Sequence, residues 1–326
     1  PLERDDFAPL VIAALDIEAV PNTGFPDASH PEDLICSIGI VKWVLGCDEQ
    51  DAVRHVVVAH PDCDPIPGTH VHCCADEREL LIKTRDVING LGVDWLLVYN
   101  GRFDFPYMND RACSGPMCTE AFFLLSKFRF HRCTLTNKRL ASGALGDNTV
   151  RFFDMPGRAN LDVMMWYKIN YKKASYALNS VCAEETGETK VDFSYKLIKP
   201  YFEGTSAQRR ELAVYNVQDC EILRELCRRL GVFGDQIELS RVSCVLCERL
   251  ASHGQGIKVV SQMNAKCVAM TQYYEYPFVL SNHHLKPPRA FGDEADAEQG
   301  DDDGYEGATV IEPITGYYEK HIVIVC

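Results

Sequence analysis

The sequence predicts an α/β domain built around a mixed sheet. Three patterns carry that expectation. Apolar stretches rich in β-branched residues occupy much of residues 11–60 before any helical spacing appears. Strand and helix signals then alternate as far as residue 186. The longest periodic stretch, 206–230, has the spacing of an amphipathic helix long enough to lie across a sheet. Strands first and mixed elements afterwards favour a sheet with both parallel and antiparallel neighbours.

In chain order, Val11–Val20 is an apolar run interrupted only by Asp16 and Glu18, and Leu34–Val44 and Val53–His60 read as two further strands with turn residues between them. Asp76–Leu91 sets Leu80, Leu81, Val87, Ile88 and Leu91 at helical spacing and ends near Gly90 or Gly92. Trp95–Asn100 is a short buried strand, and Phe105–Ala112 a helix behind Pro106. Arg151–Met155 gives another strand, followed by helices near Leu161–Tyr171 and Tyr176–Thr186. The long helix, Ser206–Leu230, opens on a Thr205/Gln208 capping box and stops before Gly231; its core stripe is Leu212, Val217, Leu223, Leu226 and Leu230. Residues 236–275 are largely helical, with breaks at Gly254 and Gly256.

Composition narrows the function. Lys+Arg is 33 and Asp+Glu 47 in 326 residues, a formal net charge of −14, so nucleic acid is not held by bulk positive charge. Residues 293–303 hold seven acids and no base, half of that charge, and read as a solvated loop. No run reaches the roughly 18 apolar residues of a membrane span. Fifteen cysteines, an odd count placed mostly in apolar stretches such as those of Cys36, Cys182, Cys220 and Cys227, fit thiols in a reducing compartment. The Cys63, His70, His72, Cys73, Cys74 group and Cys244-x-x-Cys247 could suggest zinc, but packing or loop thiols explain them better. Pro1 and the strand-like His321–Cys326 read as the edges of a fragment.

Acids in three places carry the chemistry. Asp16 and Glu18 lie two apart on a strand, so both point to one face and Ile17 to the other. Two acids in an apolar run repel and are costly to desolvate unless cations neutralise them. Asp104 follows a second buried strand, where open α/β sheets collect ligands; alone, it could equally cap the following helix. Tyr215 and Asp219 sit four apart on the long helix, free to face a cleft.

An Asp-x-Glu strand, an Asn-x-x-Phe-Asp strand end and a Tyr-x-x-x-Asp helix in that order resemble the 3′→5′ exonuclease domain of family-B DNA polymerases. The matching residues are Asp16 and Glu18, then Asn100, Phe103 and Asp104, then Tyr215 and Asp219. The runs 190–195, 201–210 and 215–219 are similar to herpesvirus DNA polymerases, and 254–261 to viral and delta-type enzymes. Tyr305–Tyr318 resembles the segment before the first polymerase motif. Two residues separate Asn100 from Phe103 where these polymerases usually have three, and Gly256 replaces a usual Gln.

The resemblance implies a ribonuclease-H-like exonuclease domain over residues 8–232, then a helical connector and an incomplete palm entrance over 233–326. It implies a viral, herpesvirus-like replicative polymerase working in the host nucleus with a processivity factor. Asp16, Glu18, Asp104 and Asp219 would hold two divalent cations, Mg²⁺ or Mn²⁺, whose charge balances four carboxylates. Tyr215 would position a water that hydrolyses the single-stranded 3′ end of DNA. Asn100, Phe103, Lys127, Arg129, Arg132, Tyr305 and Gly307 would contact DNA, since 121–146 holds five bases and no acid with Phe128 and Phe130 interleaved. No Asp-Thr-Asp polymerase motif is present, so this chain is expected not to polymerise. The alternatives are a non-catalytic nucleic-acid-binding module on a nuclease fold and a stand-alone exonuclease of the same superfamily.

Overall fold

The computed structural model describes residues 9–22, 24–47, 52–114, 119–128, 130–142, 146–187, 193–250 and 253–274. Side chains of 140–147 and 271–274 are not described. Arg129, residues 188–192, Tyr305, Gly307, the acidic run 293–303 and the stretch 305–326 lie outside the described residues. Those described belong to one compact unit, residues 1–280.

The strands are β1 (Val11–Ala19), β2 (Ile35–Val44), β3 (Val53–Val58), β4 (Thr69–Cys73), β5 (Trp95–Val98), β6 (Thr134–Ser142), β7 (Gly146–Asp154) and β8 (Ala159–Asp162). The helices are α1 (Glu77–Gly90), α2 (Gly101–Cys113), α3 (Val163–Asn170), α4 (Leu178–Glu185), α5 (Ile198–Glu203), α6 (Ser206–Arg229), α7 (Val232–Ser243), α8 (Cys247–Leu250) and α9 (Gln255–Tyr274). Six strands form a mixed sheet in the order β4-β3-β2-β1-β5-β8, and β6-β7 is a separate hairpin. β1–β2 and β2–β3 are antiparallel; β3–β4, β1–β5 and β5–β8 are parallel. The α/β class and mixed sheet are as expected.

β1 can carry two acids because the rest of it is covered on both faces. Ile12, Leu15 and Ile17 are at most 5% exposed, and each such side chain stabilises the fold by about 1.5–3 kcal/mol. α6 packs across β1, β2 and β3. Its N-terminus is fixed by the expected capping box: Thr205 Oγ1 accepts from the Gln208 amide and Gln208 Oε1 from the Thr205 amide. α1 begins on Asp76, whose carboxylate accepts from the Glu79 amide. Phe233 of α7 packs edge-on against Trp43 and Trp95, tying the helices after Gly231 to the sheet.

The structure departs from the sequence reading in two places. The second helix starts at Gly101, four residues before Phe105, and Pro106 lies inside it. Asn100 takes left-handed backbone (φ 66°), which asparagine tolerates, and a Cβ at position 101 would stand 2.6 Å from Val98, so the turn demands glycine. Strands β4 and β8 were not foreseen. The group at residues 63–74, read above as packing or loop thiols rather than zinc, is divided by alternation along β4. His70 and His72 point to the side where Lys83 of α1 lies; His70 stacks on His55 at 4.7 Å between centroids, and a His72 ring nitrogen stands 3.0 Å from one of His55. Cys73 faces the opposite side.

Candidate active site

Asp16 and Glu18 stand near the C-terminal end of β1 on the face that α6 covers. Register sets Asp16 opposite Gly39 and Glu18 opposite Ser37, with an irregularity after Glu18. Ile17 points into the core. Asp219 of α6 meets the pair: one carboxylate oxygen from each of Asp16, Glu18 and Asp219 lies within 4.8 Å of the other two. Among the described residues no other three His, Cys, Asp or Glu side chains bring ligand atoms so close.

Tyr215 lies one helical turn before Asp219 and is half-buried. Its ring is tilted against that of Phe193 at 5.0 Å, and Phe193 in turn meets Tyr201 edge-on at 5.2 Å. These aromatic contacts fix the Tyr215 ring against Phe193.

Asp104 follows β5, lies in the first turn of α2 and is only 4% exposed; it does not cap that helix, whose N-cap is Asn100. It is not one of the three clustered acids. Burial is the largest cause holding its carboxyl well above the usual aspartate range, and the charges of Asp16, Asp162 and Glu18 push it the same way.

Asp162, not singled out from sequence, organises this corner. Its carboxylate accepts from the amides of Asn100 (3.1 Å), Gly101 (3.0 Å), Met164 (3.0 Å) and Met165 (3.3 Å). One side chain at the end of β8 thus caps α3 and anchors the start of α2. In sequence it falls inside the stretch read as a helix near Leu161–Tyr171, which hid its capping role. Arg111 and Glu77 are a second missed device. Their side chains pair in the interior, Glu77 accepts from the Ile35 amide, and Arg111 donates to the carbonyls of Ala28, His30 and Pro31. They clamp the loop between β1 and β2 beside the cluster. That loop presents Phe25, 77% exposed, edge-on to Phe103 at 5.2 Å.

The cluster suits a hard cation. Its donors are all carboxylate oxygens, which match Mg²⁺ or Mn²⁺ better than zinc. The neighbouring thiol of Cys220 is pushed well up by burial and by the charges of Asp16 and Asp219, so it stays protonated and offers no thiolate. Unfilled, three carboxylates at this spacing repel, and divalent charge would relieve them.

The expected DNA-contacting residues are scattered. Asn100 is exposed at the start of α2, with Phe103 half-buried one turn on. Among the described residues, a single 3₁₀ turn, Glu120–Phe123, precedes β6. Lys127 pairs with Asp94 and Arg132 with Glu120, acids that the local sequence window lacked. Phe128 and Phe130 are 57% and 97% exposed.

The chain is similar to known proteins. The chain is 33% identical over 317 residues to the DNA polymerase delta catalytic subunit of Schizosaccharomyces pombe, covering 97% of this chain and 27% of that protein. It is 32% identical over 322 residues to that of Arabidopsis thaliana and 31% identical over 322 residues to that of Drosophila melanogaster, again covering 98% of this chain and 27% of each relative. The chain therefore spans about a quarter of the length of these relatives. Residues 1–181 match the family described as DNA polymerase family B, exonuclease domain. That match takes in more than half of the chain, which therefore belongs to the exonuclease-domain family of the family-B DNA polymerases.

Proposed function

We propose that this chain carries the proofreading 3′→5′ exonuclease of a replicative DNA polymerase and removes nucleoside 5′-monophosphates from single-stranded 3′ ends. The observation that supports it best is the trio of carboxylate oxygens from Asp16, Glu18 and Asp219 within 4.8 Å of one another, beside the buried Asp104. Two divalent cations held by these four acids would neutralise the scissile phosphate and favour in-line displacement. The protein's own groups do the rest. Tyr215 is placed for its hydroxyl to orient the attacking water by a hydrogen bond. The water oxygen forms a bond to phosphorus while the bond from phosphorus to the 3′ oxygen breaks, and that oxygen leaves with a proton. Phe25, exposed and set edge-on to the half-buried Phe103, would offer the terminal base a stacking surface.

The parent protein would polymerise DNA in the nucleus with a processivity partner. The nuclease domain would end near residue 232, and the polymerase residues would lie outside this chain. Of the subgroups that the sequence resembles, the delta-type has the cellular relatives named above in its favour, and the herpesvirus-like reading rests on residues 190–219 alone. A purely structural role on a nuclease fold is disfavoured, because clustered acids that hold nothing would only cost stability.

The test is digestion of an end-labelled single strand in Mg²⁺. Asp16→Ala should abolish it and Tyr215→Phe should lower it less. Undiminished digestion by Asp16→Ala would overturn the reading.

A further inference from the structure

Asn216 lies on α6 between Tyr215 and Asp219, three residues before Asp219 and so on the same face. It is completely buried. Its side-chain Nδ2 donates to Oδ2 of Asp16 at 3.0 Å and lies 3.3 Å from the main-chain carbonyl oxygen of Asp16. Both partners are acceptors, so the amide can face Asp16 only with its nitrogen. The other end pays for this: Oδ1 is buried and finds no donor among the described residues. A buried amide so placed is costly in a helix face otherwise built from Leu212, Val217 and Leu223.

The sheet leaves room for it. Gly39 is the residue of β2 in register with Asp16. A Cβ there would stand 2.6 Å from Asn216 Oδ1 and 2.9 Å from its main-chain oxygen. A glycine within a strand marks close approach of another backbone; here it lets α6 come close enough for the amide to reach across to β1.

We propose that Asn216 is a positioning residue of the nuclease, holding the Asp16 carboxylate in the orientation in which it shares a cation with Glu18 and Asp219. The proposal rests on the metal-dependent reading above. A donor on Oδ2 fixes the rotation of the carboxylate; a charge-assisted bond of this kind is stronger than one between neutral groups. Asn216 touches neither the phosphate nor the water in this scheme. Its effect is on metal affinity, where loss of a group orienting a ligand costs about 10–100-fold.

The test is equilibrium binding of Mn²⁺ to the chain, followed by electron paramagnetic resonance without DNA, alongside thermal midpoints in EDTA. Asn216→Ala should weaken Mn²⁺ binding about tenfold or more. It should raise the Mn²⁺ concentration for half-maximal digestion by the same factor, and leave the KM for the single strand unchanged. Gly39→Ala, which displaces the amide without removing any donor or acid, should weaken Mn²⁺ in the same direction; it decides the matter if Asn216→Ala does not fold. Wild-type affinity in either folded variant overturns the proposal alone. Wild-type protein whose Mn²⁺ binding is insensitive to Asp16→Ala overturns the nuclease reading and this proposal with it.

Discussion

Replacing Asp219 with asparagine should make the metal-free protein more stable while destroying its activity. The side chain keeps its shape and loses its charge. Oxygens of Asp16, Glu18 and Asp219 lie within 4.8 Å of one another. At that separation two unit charges repel by ~0.9 kcal/mol in bulk water and by ~3.5 kcal/mol at an effective dielectric constant of about 20. Asp219 takes part in two such pairs, so neutralising it relieves about 2–7 kcal/mol. The lower figure applies here because Asp16 and Glu18 reach solvent. A gain of about 2 kcal/mol raises the thermal midpoint by roughly 4–8 °C in a domain of about 150–250 residues. Saturating Mg²⁺ should then close or reverse the gap, since a ligand at 100 times its dissociation constant stabilises the wild type by about 2.7 kcal/mol and finds only a crippled site in the variant. Thermal unfolding followed by circular dichroism in EDTA and then in Mg²⁺ measures both effects. Two results would refute the reasoning: a variant that melts below wild type in EDTA, or equal Mg²⁺ shifts in both proteins.

Two further outcomes follow from buried charge. Arg111→Ala leaves the buried Glu77 side chain without its ion-pair partner and frees the carbonyls of the β1–β2 loop, so it should cost about 3–5 kcal/mol in urea unfolding; a loss near the value of an exposed pair, about 0–1 kcal/mol, would mean that the clamp is dispensable. Asp104 gives a pH signature. Its folded-state carboxyl is raised by burial and then by Asp16, Asp162 and Glu18, so the folded protein binds that proton more tightly than the unfolded chain does. Its contribution to stability is complete below the unfolded value and is lost as pH rises through the folded one. In EDTA, Asp104→Asn should therefore gain over wild type as pH is raised from about 4 to 8; a midpoint difference that stays constant across that range would show that Asp104 is not raised.

What could be read from the sequence follows from how local each cause is. The period of two puts Asp16 and Glu18 on one face of β1, the period of 3.6 puts Tyr215 and Asp219 on one face of α6, and the caps at Asp76 and Thr205 are local chemistry. None of these needs the rest of the fold. β4, with the sequence Thr-His-Val-His-Cys, and β8, Ala-Asn-Leu-Asp, have no strong apolar alternation. They are strands because β3 and β5 offer parallel edges to them, which no local window contains. The start of α2 was misjudged because Pro106 reads as a helix opening. In the fold, amides at Asn100 and Gly101 are taken up by Asp162, some sixty residues on, and the helix can begin earlier. Phe128 and Phe130 alternate with bases in sequence, yet Asp94 and Glu120 supply partners for Lys127 and Arg132.

The same distinction separates the acids from what holds them. Acids at a site for cations are recognisable because their chemistry requires carboxylates at fixed spacings. The supporting groups are Asn216 against Asp16, Asp162 under the start of α2, and Arg111 with Glu77 under the β1–β2 loop. Any polar residue of suitable reach could fill such a place, so spacing alone does not mark it. Each of these supports is a polar group bonded to a distant segment, buried in the case of Asn216, Arg111 and Glu77 and half-buried in that of Asp162, and each meets a segment that carries or flanks a site residue. Their placement answers a mechanical problem that the acids create. Three like charges at 4.8 Å or less drive apart the strand and helix that bear them. A site that must stay assembled between cations therefore needs its backbone fixed by bonds that do not depend on the cation.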